Sequence, residues 1–184
     1  MKHLALLSAL ILCALCPLGL ARADDQFSAP KESLTFDGQT LYLAFENNSR
    51  PPGEHIKEYI ADGEKLDSWT RLAAFHTYPQ PDDPKFFAAN LIRIMKQDNP
   101  DAQGRVIQNP TTGEVIVDFV TWDAGGAFAE FNVFRIAKNT GGGLVAEQYA
   151  VRDYKDVRAF LKNLGPLRQR LVALMAKDGL MFNR

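Results

Sequence analysis

An α+β domain, one twisted antiparallel sheet flanked by helices, is the fold class this sequence predicts, and three observations predict it. Segments patterned as strands follow one another across short turn signals, and strands joined that way pair antiparallel. Two stretches, one mid-chain and one terminal, carry apolar residues at helical spacing and each needs a sheet face to cover. The chain has 184 residues with 46% hydrophobic side chains, enough for one domain with a real core and too few for two.

Taken in order, Lys2 and His3 precede an apolar run from Leu4 to Leu15, then Pro17, Gly19 and Ala21-Arg22-Ala23. A basic start, a short hydrophobic segment and a small-x-small site make residues 1–23 a secretory signal peptide. The run is too short to span a bilayer permanently, so no transmembrane segment is expected once it is removed. Residues 24–33, polar and carrying Pro30, read as a flexible leader, and residues 34–184 as the single domain. Leu34-Thr35-Phe36 and Thr40 to Phe45 flank Asp37-Gly38, a pair that accepts the positive φ angles of a tight hairpin turn. Asn47 to Gly53 is turn chemistry, and Pro51 and Pro52 stop pairing. His55 to Ile60 alternates as a strand, Gly63 to Ser68 is a polar connection, and Trp69 to Tyr78 reads as a buried strand or short helix.

The clearest helix starts after Pro81. Asp83 caps it, Pro84 suits its first position, Phe87, Leu91 and Ile94 make its apolar face, and Asn99-Pro100 ends it. Strands follow at Val106 to Gln108, Val115 to Trp122 and Phe128 to Lys138, the last two joined by Asp123-Ala124-Gly125-Gly126. Asn139 to Gly143 turns the chain into a strand from Leu144 to Val151. Val157, Phe160, Leu161 and Leu164 form a helical stripe that Gly165-Pro166 breaks and Leu167, Leu171, Leu174 and Met175 resume.

Composition excludes several function classes. With 21 Lys and Arg against 22 Asp and Glu, and Lys2 and Arg22 lost with the signal, the domain is mildly acidic and carries no basic stripe, so nucleic acid is not an expected partner. Cys13 and Cys16 both lie in the signal, which leaves the domain without a disulfide framework and removes their C-x-x-C spacing before folding. Lipidation of Cys16 is the competing reading, and Leu15 stands where a lipoprotein signal places a small residue. Asn47-Asn48-Ser49 would be a glycosylation acceptor in a eukaryotic secretory pathway.

Glu58-Tyr59-Ile60, Gly63-Glu64 and Trp69-Thr70 form a pattern similar to one in small exported bacterial proteins. The order of elements also resembles the PsbP-like α/β/α sandwich. That resemblance implies a binding or assembly scaffold with a non-enzymatic role, and it carries over no ligand site.

The domain's two histidines, His55 and His76, lack the short spacing of a zinc site, so no metal and no cofactor are expected. Asp82 and Asp83 close to His76 suggest a carboxylate-assisted site, against the plainer reading of a surface histidine beside a helix cap. None of Ser28, Ser33, Ser49 and Ser68 sits in a nucleophile motif. Asp118 and Glu130 would face each other across a hairpin as a carboxylate pair, or serve with Asn132 as polar positions of half-buried strands. Gly141-Gly142-Gly143 precedes an extended segment and reads as a hairpin loop, not a phosphate cradle. Arg152, Arg158, Lys162, Arg168, Arg170 and Lys177 are read as a solvated basic face of the terminal helix, or as a contact to anionic lipid.

The expected function is that of an exported periplasmic or secreted protein, not an enzyme, that contacts a protein partner in the cell envelope. Its candidate contact residues are Trp69, Trp122, Tyr59, His76 and Asp123, the tryptophans because aromatic groups at loop edges make good contact surfaces. The alternatives are a secreted hydrolase assembled around His76, and a periplasmic carrier of lipid or another small ligand with an apolar cavity between sheet and helix.

Overall fold

The computed structural model describes residues 31–47 and 54–183. The predicted signal peptide with Cys13 and Cys16, most of the predicted leader and most of the turn predicted over 47–53 lie outside the described residues. Strands β1 (Ser33–Phe36) and β2 (Gln39–Asn47) form the predicted hairpin, and its turn has φ of 51° at Asp37 and 70° at Gly38, the paired left-handed geometry of a two-residue turn. A β-bulge between Leu43 and Phe45 kinks β2 where it pairs with β3 (His55–Ile60). Strand β4 (Arg71–Tyr78) resolves the Trp69 to Tyr78 segment as extended, with Trp69 and Thr70 in the connection before it.

Helix α1 (Pro84–Asp98) begins as the sequence predicts. The Asp83 side chain accepts from the backbone N–H of Lys85 and Phe86, at 2.8 and 3.2 Å. Its inner face differs from the prediction: Ala88 and Met95 are buried and Phe87, Leu91 and Ile92 pack beside them, while Ile94 points to solvent. A face closed by Ala88 and Met95 lets the helix approach the sheet closely, and a Cβ on Gly104 would collide with Ile92.

Strands β5 (Gly104–Gln108), β6 (Val115–Trp122), β7 (Ala129–Lys138) and β8 (Leu144–Asp153) form a second antiparallel run. Helices α2 (Val157–Lys162) and α3 (Leu164–Lys177) follow, and β9 (Met181–Asn183) returns to pair with β1. Asp156 caps α2 through the N–H of Ala159, and the break between the helices falls at Asn163. Gly165-Pro166, predicted as the break, lies in the first turn of α3, where a missing N–H has no intrahelical partner to lose.

All pairings are antiparallel, in the order β5-β6-β7-β8-β4-β3-β2-β1-β9. Two meanders, β1 to β4 and β5 to β8, are thus joined where β4 lies against β8. The alternation of side chains sends Val115, Val117, Phe119, Phe134 and Ile136 toward α1. Ile116, Val120, Phe131, Val133 and Tyr149 face the other way, against Leu164, Leu171 and Met175 of α3. Helices therefore cover both faces of the sheet.

The turn between β7 and β8 needs glycine for two reasons at once. Gly143 has φ of 74°, and a Cβ there would fall on the carbonyl oxygen of Tyr78 and the backbone of Pro79. Gly143→Ala is expected to lower the unfolding free energy by more than about 1 kcal/mol, read from the urea midpoint, with Gly141→Ala, which meets open space, as the near-neutral control.

Candidate functional site

On the face that carries α1, three strands hold a connected row of polar side chains. Period-two alternation places His76 of β4, Gln148 and Arg152 of β8, and Glu130 and Asn132 of β7 on that side, and the register sets Glu130 directly opposite Arg152. His76, Gln148 and Asn132 are buried, and the side chains of Glu130 and Arg152 nearly so. Burial at this depth requires partners, and the row supplies them.

The row has a direction. The Glu130 carboxylate only accepts, taking Arg152 Nε and Nη2 at 2.8 and 2.6 Å and Asn132 Nδ2 at 2.7 Å. Asn132 therefore turns Oδ1 toward Gln148, whose Nε2 donates to it at 2.8 Å. Gln148 then presents Oε1 to His76 Nε2 at 3.1 Å, so that ring nitrogen carries the proton. The ion pair at one end thus fixes the tautomer of the histidine at the other. His76 also stacks on Tyr78, with ring centroids 5.8 Å apart. The expectation of a surface histidine beside the α1 cap fails because β4 continues through position 76 as a central strand, flanked by β3 and β8.

The Arg152 end is aromatic. Its guanidinium carbon sits 4.0 Å from the Trp69 ring centroid and 4.4 Å from that of Phe128, and Nη1 donates to the Tyr154 hydroxyl at 3.1 Å. Burial pushes the guanidinium pKa down, while Glu130 and Tyr154 outweigh it and hold Arg152 above its ordinary value. Trp69 is 5% exposed and packs in a cluster with Ile60, Leu72, Ala74 and Ala150. The connection before β4 is fixed by Glu64, whose carboxylate accepts from Thr70 N–H at 3.0 and 3.1 Å and from Thr70 Oγ1 at 2.6 Å. Thr70 C=O in turn accepts from Arg152 N–H at 3.0 Å. Gly63-Glu64 and Trp69-Thr70, apart in sequence, are therefore one stapled loop.

Of the candidate residues, the structure brings Trp69 and His76 to this face, at opposite ends of the row. Trp122 is half-buried at the end of β6, wedged between the two main hydrophobic clusters, and its backbone N–H donates to Asn99 Oδ1 at 2.8 Å. Asp123 shapes the following loop by accepting from Gly126 N–H and, through Oδ2, from Ala127 N–H. Tyr59 lies on the other sheet face. Its hydroxyl donates to Glu32 at 2.5 Å, beside a Lys57–Glu32 ion pair, and burial with Glu32 pushes the phenol pKa up.

Three further expectations change. Asp118 and Glu130 point to opposite faces, since Asp118 pairs with Val133 and Glu130 with Thr121. Asp118 and Asn132 are buried, so they are not polar positions of half-exposed strands. Of the basic face read on the terminal helix, Arg152 belongs to β8 and Arg168 is half-buried against Asp118, while Arg158, Lys162, Arg170 and Lys177 are exposed. Glu130, Asn132, Gln148 and Arg152 were not read from the sequence as a set. Glu130 and Asn132 carried a signal, as polar residues two apart flanked by apolar neighbours, whereas Gln148 and Arg152 sit beside Glu147 and Asp153 and carried none.

Among the described residues no cluster of His, Cys, Asp and Glu has metal-binding geometry, and no helix is long and apolar enough to cross a membrane. A protein-family model matches residues 27–179, which include every described element except β9. No curated protein and no solved structure matches the chain.

Proposed function

The chain belongs to the family matched over residues 27–179, and we propose that it is an exported periplasmic binding protein that contacts a protein partner through the aromatic end of its polar row. The observation that carries this reading is the Arg152 guanidinium, clamped between Trp69 and Phe128 and neutralised by Glu130, beside a Tyr154 that is 39% exposed. Tyr154, held by the hydrogen bond from Arg152 and by its packing on Phe128, loses little entropy on contact, which is what an interface anchor requires. The composition of residues 1–23 supports export. The antiparallel sheet with helices on both faces supports a PsbP-like sandwich, a scaffold suited to assembly.

The alternatives have less support. A hydrolase using His76 as base would have to work through Nδ1, because Nε2 donates its proton to Gln148. For a lipid carrier, the space between sheet and α3 is filled by Phe131, Tyr149, Leu171 and Met175, all fully buried. The open clefts, of about 310 and 250 Å³, lie at the α2–α3 corner and beside β5 and are lined by mixed polar and apolar groups.

A photo-crosslinking residue placed at exposed Lys155, beside Tyr154, in the full chain should trap a discrete protein in the cell envelope, while the same group at exposed Gln97 on α1 should not. Tyr154→Ala should weaken that capture at least about tenfold with an unchanged melting temperature. Adducts to lipid alone, equal capture from both positions, or recovery of the chain only in the cytosol would overturn the proposal.

A further inference from the structure

Strand β5 ends the sheet with an open edge. Among the described residues its strand partner is β6 alone, in an unbroken register from Gly104↔Phe119 to Gln108↔Val115. The hydrogen bonds flanking this ladder run from Val120 N–H to Gln103 C=O and from Asn109 N–H to Glu114 C=O. Hydrogen-bonded pairs alternate along an antiparallel ladder, so Arg105 and Ile107 bond to β6, while Gly104, Val106 and Gln108 turn N–H and C=O outward.

The side chains of this edge are apolar where an isolated edge should be guarded. Val106 is 42% exposed on the α1 face and Ile107 is 52% exposed on the α3 face. No proline or bulge interrupts β5, and Arg105 is its one charge. The opposite edge, β9, is blunted by its length of three residues.

We infer that β5 pairs with β5 of a second copy of this chain, antiparallel about a two-fold axis through Val106. The outward backbone groups choose this register. Centred on Val106, they match Gly104 with Gln108 of the second copy and Val106 with itself, using all three outward residues. A centre at Arg105 would set two arginines directly opposite each other, which is repulsive. A centre at Ile107 would match Gly104 with Pro110, which has no N–H to give. In the chosen register the two Val106 side chains meet on one face, and on the other each Ile107 lies beside the aliphatic stem of the second copy's Arg105. The strand thus supplies its own apolar cover on both faces, and the two sheets become one continuous sheet with an isologous seam.

Sedimentation equilibrium of the full chain should show a reversible monomer–dimer equilibrium. Val106→Lys should raise its dissociation constant at least about tenfold by setting two ammonium groups opposite each other. Ile107→Lys should do so independently, and the melting curves of both variants confirm that they fold. With Cys13→Ser and Cys16→Ser in place, Val106→Cys should give a disulfide-linked dimer under mild oxidation, because hydrogen-bonded antiparallel pairs hold their Cα atoms about 5.5 Å apart. A monomer at every concentration overturns the inference. So does a dimer that both lysine variants leave intact, or one that Val106→Cys fails to cross-link.

Discussion

Replacing Arg168 by methionine is expected to cost about 3–5 kcal/mol of stability at neutral pH, and the loss should shrink as the pH falls. Asp118 lies on β6 beneath α3 at 2% side-chain exposure, paired with Arg168. Burial raises its pKa, with Arg168 and then Arg105 pulling the other way. Methionine keeps most of the volume and removes the charge, leaving a carboxylate with its desolvation uncompensated. The sign of the pH dependence follows from the raised value. Folding favours the protonated acid, so this group's contribution is fullest below the ordinary aspartate pKa and fades as the pH rises through the folded-state pKa. Without Arg168 the folded-state pKa rises further, and the variant recovers ground on acidification by protonating Asp118. Urea midpoints at pH 7 and pH 5 test this. A deficit of the same size at both would place its source in lost packing instead of the stranded charge. Adding Asp118→Leu to Arg168→Met should restore much of the loss at pH 7.

Trp69→Ala should cost a comparable amount, about 3–5 kcal/mol, for a different reason. The indole fills the space between Ile60, Leu72, Ala74 and Ala150, so its removal leaves a cavity in a small cluster with little to collapse into it. Arg152 also loses one of the two rings that sandwich it. Trp69→Phe keeps a ring beneath the guanidinium and should recover more than half of the loss. Guanidinium denaturation followed by far-ultraviolet dichroism separates the two variants without relying on tryptophan fluorescence. A near-native midpoint for Trp69→Ala, combined with lost partner capture, would move this residue from the core to the contact surface.

How far such features could be read in advance depended on whether their cause is local. The Asp37-Gly38 turn, the Asp83 cap and Pro84 at the helix start act within four residues, and each stands where its chemistry places it. The choice of inner face on α1 was misjudged because Ile94 is more apolar than Ala88. Close packing over Gly104 rewards small Ala88 and flexible Met95, a condition set by a strand that comes later in the chain. The polar row was illegible for the same reason. His76 and Gln148 are joined only because β4 and β8 pair across seventy-two positions of sequence, and periodicity within either strand says nothing of its neighbour. Asp118 and Glu130 show the limit from the other side. They were rightly placed on adjoining strands, but Asp118 lies opposite Val133, three residues from Glu130, and an odd offset in a pleated ribbon is the difference between facing and opposing.

The junction of the two meanders sets a timetable for the molecule. Each meander closes through neighbours in sequence, but β4 acquires its second ladder only when β8 exists, and β1 acquires its outer one only when β9 does. Chain emerging from the ribosome must therefore hold a half-built sheet with an unmatched margin until β8, and then β9, has been made. Such delayed, long-range closure slows folding, because the entropy of large loops is spent before the contacts that offset it are formed.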